Sequence, residues 1–582
     1  MESATQLVRR MELDRRTVVV LTGAACAALL VFRRVSVYRD AKKKIQRAKV
    51  RRAENLQQAQ KAVQQYKEAH PGCSGDAILA LSLTELTTQL QQGSLNPEDV
   101  LYAYMEKTLD VNSKLNCCTV ILLDSFDQLK STNKEGLLYG VPVSIKDNYG
   151  YKNYDSSCGL FINLEKPVQE DCVIVQVLKK QGAIPFVKTN IPQGLLSYDC
   201  SNPIYGQTLN PHNLQKTSGG SSGGEGALIG GGGSLLGMGS DIGGSNRPPA
   251  SFCGIYGFKP TPRRLSEKGV RSSTKGQKSV LVSLGPMARD LDSLVVCMRA
   301  LLCDYMFSLD PTVPPLPFNE QMYKSSKPLR IGYLENDGYM QPSPSMARAV
   351  REVKVLLEQA GHTLVPYTPL KMSYAFTELV GKGLLGDGAT TLLQNMEGGP
   401  LDAILKHQLI FRHVPKRLRK ITSFLRTPLS PRLNAIGEST AGCGSISNLW
   451  KHHGAVQDYI DETIAEWKRC NIDVLLCPVI GPGFNLLYCG KITPVLSYTS
   501  IYNLLTFPAG VVPVSSVTRE DEEELKNYKG FDQDQADIYF KQAVSGAEGL
   551  PVSVQCVSLP WQDELCLRFM KEVDNLVQHS RK

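Results

Sequence analysis

The sequence has no cysteine pattern of the kind that holds a metal ion or a set of disulfides. Its 16 cysteines are scattered, no Cys-x-x-Cys pair occurs, and Cys117–Cys118 is the only adjacent pair. No Asn-x-Ser/Thr acceptor for N-glycosylation occurs either. Unpatterned cysteines without glycosylation sites favour a reducing compartment, where thiols act as small core hydrophobes. We therefore expect no metal site.

Nucleotide-binding motifs and histidine-based catalytic patterns are also missing. No Gly-Lys-Ser/Thr tripeptide occurs, and the glycines between 219 and 244 do not form GxGxxG with usable flanks. We therefore expect no cofactor. Only eight histidines are present, and none follows a strand-end pattern with a carboxylate nearby. Each is therefore interpreted as a surface or structural residue.

Basic charge is confined to one end of the chain. The net charge is +9, yet residues 1–52 alone carry 14 Lys or Arg and 4 Asp or Glu, so the remaining 530 residues sum to −1. A nucleic-acid binder would carry a basic patch on its folded domain. The sequence therefore predicts no nucleic-acid partner.

An uncharged apolar segment, TVVVLTGAACAALLVF, runs from Thr17 to Phe32 between two arginine pairs. It is shorter than the ~20 residues of a straight span, but snorkelling arginines and the apolar residues after it make up the difference. The alternative is a cleaved signal peptide, although no small-x-small site separates the segment from Arg33. We expect a single-pass anchor over residues 1–35 and a charged, surface-lying helical arm over 36–75. Basic residues are denser after the span, which favours a cytosolic catalytic domain on intracellular membranes such as the endoplasmic reticulum.

The sequence pattern from residue 76 to 582 is typical of an α/β domain. Helices are predicted around residues 81–92 and after Asn96-Pro97, where proline suits a first helical position. Short apolar runs bounded by Gly, Pro or Asp then alternate with helical patterns, as buried strands do. Examples are GVPVSIKD, GAIPFVKTN, PLRIGYLEN, IDVLLCPVI and GLPVSVQCVSL.

The segment Lys216–Gly254 is dense in glycine and serine but has no histidine. A flexible linker is one interpretation, yet a solvated linker does not need the aliphatic residues interleaved here. Backbone packed tightly in a buried site, with exposed N–H groups, suits the pattern better. Ser245 in DIGGS then has side-chain-poor backbone beside it for an oxyanion. Ser221 formally matches the GxSxG nucleophile elbow, which would need a histidine partner.

Lys146 is the candidate base because an apolar strand, Val141–Ile145, leads directly into it. Burial would lower the pKa of the lysine, and only then could it accept a proton near neutral pH. The alternative is an ordinary salt bridge with the adjacent Asp147.

These stretches together resemble the amidase signature family, over roughly residues 75–575. The residues that carry the resemblance are Lys146 in PVSIKD, Ser221 in SGGSSGGEGALI and Ser245 in DIGGS, with LTFPAGVVPV and GLPVSVQCVSLPWQDELCLRFMKEV further on. With the amino-terminal anchor, the pattern looks like the membrane-attached fatty-acid amide hydrolases of vertebrates. The resemblance implies a large twisted mixed β-sheet covered by helices.

The resemblance also implies residue roles. Ser245 matches the nucleophile, Ser221 the bridging serine after a cis peptide bond, and Lys146 the base. Ile242, Gly243, Gly244 and Ser245 match the oxyanion-hole backbone, and Ser222, Asp241 and Arg247 match supporting positions. Leu196, Tyr198, Leu496 and Ser500 align with acyl-pocket positions. The implied activity is hydrolysis of fatty-acid amides, with esters as further substrates, by a homodimer. A tethered amidase for small amides and a catalytically silent scaffold remain as alternatives.

Membrane-cap helices are expected at about residues 404–434. In VPKRLRKITSFLRTPLSPRL, apolar residues fall on one helical face, and from Lys406 to Gly437 there are eight Lys or Arg and no acidic residue. Such a helix lies on anionic lipid, although a core-packed helix with a solvated basic face is the alternative. The candidate lipid contacts are Leu418, Ile421, Phe424 and Leu425.

Two further features depart from the expected pattern. Asn246 and Pro248-Pro249 stand after the nucleophile, where the family has a more apolar stretch. The polar side chain of Asn246 either alters the pocket or is satisfied locally. The run PTVPPLPF at 311–318 suits an SH3-type domain, but such a run is more often a rigid surface loop.

Overall fold

The computed structural model describes residues 15–72, 74–409 and 430–581. The core of this part of the chain is an 11-stranded sheet in the order β1-β3-β2-β6-β8-β7-β12-β13-β11-β9-β10, with a separate two-stranded pair, β4-β5. The strands are β1 Cys118–Ile121, β2 Pro142–Lys146, β3 Ile184–Thr189, β4 Ser201–Asn202, β5 Gly206–Gln207, β6 Leu236–Asp241, β7 Tyr256–Lys259, β8 Ser283–Ala288, β9 Arg330–Tyr333, β10 Thr363–Pro366, β11 Val474–Pro478, β12 Ala509–Ser516 and β13 Pro551–Ser558.

The sheet is mixed, as the sequence predicts. β2 pairs in parallel with β3 on one side and with β6 on the other, whereas β6, β8, β7, β12, β13 and β11 pair antiparallel. β2 and β6 therefore end at the same edge of the sheet, so residues that follow the two strands meet there. All five apolar runs quoted above contain a strand of this sheet.

Helices cover both the sheet and its ends. Those before and within the first half of the sheet are α1 Arg15–Ala69, α2 Gly75–Ala80, α3 Leu83–Gln92, α4 Pro97–Leu115, α5 Ser125–Gln128, α6 Val173–Lys180, α7 Gly223–Gly230, α8 Arg247–Cys253, α9 Leu291–Leu301, α10 Asp304–Leu309 and α11 Glu320–Lys324. Those that follow are α12 Pro344–Gln359, α13 Met372–Tyr374, α14 Lys382–Leu384, α15 Thr390–Met396, α16 Ala403–Leu409, α17 Pro431–Ser439, α18 Ile446–Arg469, α19 Ser497–Leu504, α20 Arg519–Lys526, α21 Gln535–Val544 and α22 Asp563–Ser580, with a π-helical turn at Ala375–Gly381.

The start of α4 confirms a prediction made from sequence. Pro97 occupies the first turn, and the side chain of Asn96 accepts a hydrogen bond from the N–H of Glu98. The proline lacks an N–H that would be unpaired there in any case, so the Asn-Pro pair begins the helix at low cost.

α1 is one continuous helix in which the predicted anchor and the predicted arm are joined without a break. Its segment from Val19 onward is long and apolar enough to cross a membrane, with a window of mean hydropathy 1.7 that buries nothing against the rest of the chain. α1 is thus a candidate membrane anchor. The uncharged run is exposed, with Leu29 at 67% and Phe32 at 74% of their full accessible surface.

The second half of α1 lies on the surface but buries one face against the sheet domain. The buried residues recur at helical spacing, and Ile45 and Ala48 pack against Leu164 and Ile204. The side-chain amide of Asn55 donates to the Ile121 carbonyl (2.9 Å) and accepts from its N–H (2.8 Å). Because β1 is an edge strand, this pairing occupies backbone groups that would otherwise be open to another chain. The full buried set is Ala41, Ile45, Ala48, Ala59, Val63 and Tyr66.

The proline-rich run at 311–318 forms a loop held by Arg264, whose guanidinium donates to the carbonyls of Leu316 and Pro317 (3.2 Å to the latter). Within the run, the side chain of Val313 is buried. These contacts agree with the rigid-loop interpretation. The predicted cap residues Leu418, Ile421, Phe424 and Leu425 lie outside the described residues.

Candidate active site

The three residues assigned to catalysis come from two strand ends and one helix start. Lys146 is the last residue of β2, Ser221 lies two residues before α7, and Ser245 follows β6 by four residues. Parallel pairing of β2 with β6 brings the lysine and the DIGGS segment to one edge of the sheet. The lysine and Ser221 are buried, while Ser245 is half-buried.

Lys146 makes three hydrogen bonds. Its Nζ lies 2.7 Å from the Oγ of Ser221, 3.0 Å from the Oγ of Ser240 and 3.2 Å from the Ser240 carbonyl oxygen. No salt bridge joins it to Asp147 among the described ion pairs, which argues against that alternative. Burial lowers the pKa of Lys146 to about 7, although the negative charge of Asp241 opposes the shift. A neutral amine is therefore well populated at neutral pH.

The two serine segments are tied together around Ser222. Its N–H donates to the carbonyl of Ser245 (3.1 Å), and its Oγ accepts from the N–H of Ser240 (3.3 Å). These bonds hold Ser222, the residue that follows Ser221, against the backbone of Ser245 and of β6. The peptide bond Gly220–Ser221 is cis, as the resemblance implies.

The loop after β6 is held by a buried ion pair between Asp241 and Arg247. The guanidinium meets the carboxylate in a bidentate pair (2.9 and 3.0 Å), and both side chains are fully buried. Burial alone would raise the pKa of Asp241, but the charge and hydrogen bonds of Arg247 more than offset it and lower that pKa well below its usual range. Removing one partner of such a pair leaves an uncompensated buried charge.

The same carboxylate narrows the set of oxyanion-hole donors. Asp241 accepts from the N–H of Gly244 (2.7 Å), so this donor is already used. The N–H groups of Ile242, Gly243 and Ser245 make no hydrogen bond within the described part of the chain. Three of the four predicted donors therefore remain available, and Gly244 acts through its backbone conformation.

Asn246 is satisfied locally rather than facing a pocket. Its side chain donates to the carbonyls of Phe258 (3.1 Å) and Gly285 (3.2 Å) and accepts from Ser222 (3.3 Å), and it is fully buried. The polar residue after Ser245 thus joins the loop to β7 and β8, which resolves the alternative left open by the sequence.

Three of the four acyl-pocket candidates lie near the serine segments, and the fourth, Leu196, packs in a neighbouring cluster. Leu496 is partly buried and packs with Ile242 in one hydrophobic cluster, and the Cβ of Ser500 lies 3.9 Å from where a Cβ on Gly243 would be. Tyr198 is buried against the ring of Phe484. Tyr198 also belongs to the cluster that contains Leu496 and Ile242, and its carbonyl carbon lies 3.0 Å from where a Cβ on Gly220 would be. Leu496 and Ser500 therefore border the DIGGS loop, and Tyr198 borders the segment that leads into Ser221.

Sequence reasoning missed several residues that shape the site. Ser240 binds the lysine through both its hydroxyl and its carbonyl, and its position one residue before DIGGS on an apolar strand was an available signal. The partners of the Asp241–Arg247 pair come from more than 250 residues away and have no local signature. They are the carbonyl of Thr499 (3.0 Å), the side chain of Asn503 (2.7 Å) and the side chain of Gln555 (2.7 Å).

The described residues contain no cluster of three or more His, Cys, Asp or Glu side chains arranged to hold a metal ion. The site combines a half-buried serine, a buried serine hydroxyl and a buried amine with backbone N–H groups that have no partner in the described part of the chain.

Comparisons with known proteins identify the family of the chain. The Amidase family model matches residues 99–567. Fatty-acid amide hydrolase 1 of Sus scrofa is 48% identical over 96% of this chain and 97% of its own length, and the Vitamin D3 hydroxylase-associated protein of Gallus gallus is 49% identical over 78% and 99%. A solved structure of a fatty acid amide hydrolase superposes with a TM-score of 0.74 at 25% identity, covering 92% of this chain and 95% of that one. The chain therefore belongs to the amidase signature family and is a hydrolase that acts on amide bonds.

Proposed function

We propose that the protein is a membrane-bound serine hydrolase of fatty-acid amides, such as N-acylethanolamines and primary amides, that works through Ser245, Ser221 and Lys146. The observation that carries the proposal is the 2.7 Å contact between the buried Nζ of Lys146 and the Oγ of Ser221, together with the bond from the N–H of Ser222 to the carbonyl of Ser245. It supplies a base for a serine without a histidine.

In the proposed cycle, neutral Lys146 draws a proton from Ser221, which takes one from Ser245. The Ser245 oxygen attacks the acyl carbon, and the N–H groups of Ile242, Gly243 and Ser245 stabilise the oxyanion, each worth ~3 kcal/mol in such sites. The proton returns through Ser221 to the leaving amine. Water then releases the fatty acid from Ser245. Protonation of the leaving group by the same relay would let amides compete with esters as substrates.

A lipid substrate is favoured by where α1 meets the domain. Val37, which follows the uncharged run by five residues, packs against Gly398 so closely that its Cγ1 lies 2.3 Å from where a Cβ there would be. The loop that contains Gly398 is bound to Gln193, which donates to the Pro400 carbonyl (3.0 Å) and accepts from the Asp402 N–H (2.8 Å). If α1 spans a bilayer, this loop lies at the membrane surface.

A second segment of the chain, which begins at Gln193, connects that loop to the active site. Gln193 opens the segment that contains the acyl-pocket candidate Leu196 and ends at Asp199, whose carboxylate accepts from the hydroxyl of Thr217 (2.5 Å), four residues before Ser221. The membrane side of the domain is thus the side from which an acyl chain would reach Ser245. The basic amphipathic segment at 414–433 favours the same direction of entry.

The relatives support the same substrate class. The protein from Sus scrofa is named as a fatty-acid amide hydrolase, and its similarity extends over 96% of this chain. A membrane-tethered amidase for small amides is the alternative, since soluble members share the catalytic core.

The test is labelling of the full-length protein in detergent with a fluorophosphonate probe. The wild type should be labelled, and Ser245→Ala should not, while Ser251→Ala, a buried serine in α8, serves as a matched control that keeps labelling. Equal labelling of Ser245→Ala would contradict the assignment of the nucleophile.

Hydrolysis is then compared across amides of increasing acyl length. A rise in kcat/KM with chain length is expected for N-acylethanolamines and for primary amides. If short acyl amides are cleaved as fast as long ones, the enzyme is a tethered amidase for small substrates, and the lipid part of the proposal fails.

A further inference from the structure

A buried carboxylate that the cycle above does not use lies behind the catalytic lysine. Glu225 is in the first turn of α7, three residues after Ser222, and it is fully buried. Its Oε2 accepts from the hydroxyl of Ser144 (2.5 Å), and its Oε1 accepts from the hydroxyl of Thr189 (2.7 Å). Among the described ion pairs, none includes Glu225.

The two hydroxyls that hold Glu225 are neighbours of Lys146 in the sheet. Ser144 lies two residues before Lys146 on β2, so both side chains leave the same face, and Thr189 is the register partner of Lys146 on β3. The carboxylate also packs against the backbone of Gly237 on β6, where an added Cβ would lie 1.9 Å from Oε2. Groups on three adjacent strands, β3, β2 and β6, therefore fix Glu225 next to the strand position from which the side chain of Lys146 leaves the sheet.

Burying a carboxylate without a basic partner costs free energy of folding, so its position next to Lys146 suggests a function. Burial raises the pKa of Glu225 to about 7, although the Ser144 and Thr189 hydroxyls and the charge of Lys146 oppose the shift. Burial lowers the pKa of Lys146 to a similar value, and the charge of Glu225 is one of the groups that oppose this. The two groups thus change charge in the same pH range, each favouring the charged form of the other.

The other ionisable groups that act on Lys146 are otherwise engaged or neutral. Asp241 is paired with Arg247. The thiols of Cys158 and Cys200 stay protonated because burial raises the pKa of each to about 12. On the far side of Glu225, Tyr149 is neutral, since burial raises its pKa well above 10, and its hydroxyl donates to the Gly239 carbonyl (2.6 Å). Glu225 is therefore the carboxyl group in this set that has no cation of its own.

We propose that Glu225 is a positioning residue for the base: its carboxylate, fixed by Ser144 and Thr189, stabilises the ammonium that Lys146 becomes when it takes the proton of Ser245. This rests on the proposed role of Lys146. A negative charge behind the lysine makes it a stronger base in the attack step, and it also raises the pH at which the lysine becomes neutral.

Replacing the carboxylate by an amide separates these effects from packing. Glu225→Gln keeps the shape and the hydrogen-bonding capacity toward Ser144 and Thr189 but removes the charge. The rate of fluorophosphonate labelling of Ser245 is measured from pH 5 to 10 on the full-length protein in detergent. The midpoint of the rising limb should move to lower pH by about one unit, and the plateau rate should fall several-fold because the base is weaker.

Glu564→Gln is the matched control. Glu564 is also buried, but it is ion-paired with Arg264 (2.6 Å) and is not among the charges that act on Lys146. Its midpoint should equal that of the wild type. If Glu225→Gln does not fold, Ser144→Ala keeps the carboxylate and removes one of its two donors, and a smaller shift in the same direction is expected.

The outcomes distinguish this inference from the proposed function. A wild-type enzyme that is not labelled, or a Lys146→Ala variant with an unchanged pH profile, would defeat the proposed function. If those tests succeed and the Glu225→Gln midpoint coincides with that of the wild type or moves to higher pH, Glu225 has only a structural role.

Discussion

The Nζ atom of Lys146 lies within 3.2 Å of three oxygens, and the nearest, at 2.7 Å, is the Oγ of Ser221. A neutral amine has two N–H groups and one lone pair. If the two N–H groups donate to the hydroxyl and carbonyl of Ser240, the lone pair faces Ser221. The protonated amine donates to all three oxygens from the same position. The base therefore needs no reorientation when it gains a proton, which is the preorganisation that proton transfer requires.

The first prediction concerns the pH dependence of the reaction. Because burial lowers the pKa of Lys146 to about 7, wild-type kcat/KM should rise as the pH passes through 7 and the amine loses its proton. Lys146→Ala should lose ~10²–10⁴-fold at pH 7 and recover part of its activity at alkaline pH, where hydroxide replaces the base. The measurement is a pH–rate profile with one long-chain amide. Full activity of the variant at pH 7 would exclude the lysine as the base.

The second prediction contrasts two glycines of the DIGGS loop. Gly244 has φ +127°, and an added Cβ would lie 2.4 Å from the Oγ1 of Thr499, the hydroxyl that donates to the Gly243 carbonyl (2.7 Å). Gly244→Ala should therefore displace the loop and lower kcat/KM by about 10²-fold. Gly243 has open space, with its nearest neighbour 3.9 Å away, so Gly243→Ala should cost much less. Similar losses in both variants would show that the loop is not held in the way described.

These two predictions rest on features that differ in how far they can be predicted from sequence. A lysine at the end of an apolar run, and glycines interleaved with serines and aliphatic residues, are local patterns with a local physical meaning. The occupied N–H of Gly244 is not local, because it depends on where the Asp241 carboxylate points, and Arg247 sets that direction with help from Asn503 on α19.

The amino-terminal helix shows a second limit. Half of the six buried residues of α1 are alanines, namely Ala41, Ala48 and Ala59, which add little apolar signal among so many lysines and arginines. Composition therefore indicates an arm exposed all around, whereas the spacing of these residues is that of a docked helix. No feature of the sequence marks a break between anchor and arm, and the structure has none.

The third prediction separates the two halves of α1 by truncation. Removing residues 1–35 should weaken membrane attachment and leave kcat and thermal stability in detergent unchanged, because the docked face begins at Ala41. Removing residues 1–56 also deletes Ile45, the Arg47–Glu165 ion pair (2.6 Å) and the bonds of Asn55 to β1. The free energy of unfolding should then fall by about 3 kcal/mol or more, measured by chemical denaturation. Equal stability of the two truncations would show that the docked half contributes nothing.

The last prediction uses two buried lysines that differ in function. Lys146 and Lys259 are both fully buried, and burial lowers the pKa of each to about 7. Because the unfolded chain holds these protons up to a pKa near 10.5, each lysine destabilises the fold, fully below pH 7 and less as the pH rises to 10.5. Lys146→Met and Lys259→Met should therefore each raise the free energy of unfolding by about 4 kcal/mol at pH 7. The gain should vanish near pH 10.5.

Only the first variant should lose activity, since Lys259 donates a single bond, to the Pro260 carbonyl (3.3 Å), and touches neither serine. Denaturation curves at pH 7 and pH 10.5, paired with amide hydrolysis, measure both effects. A stability gain in Lys146→Met with loss of activity would mean that the fold retains a costly buried amine for its chemistry. A Lys146→Met protein no more stable than the wild type at pH 7 would instead mean that the amine is as well solvated in the fold as in the unfolded chain, and a solvated, charged amine cannot take the proton of Ser221.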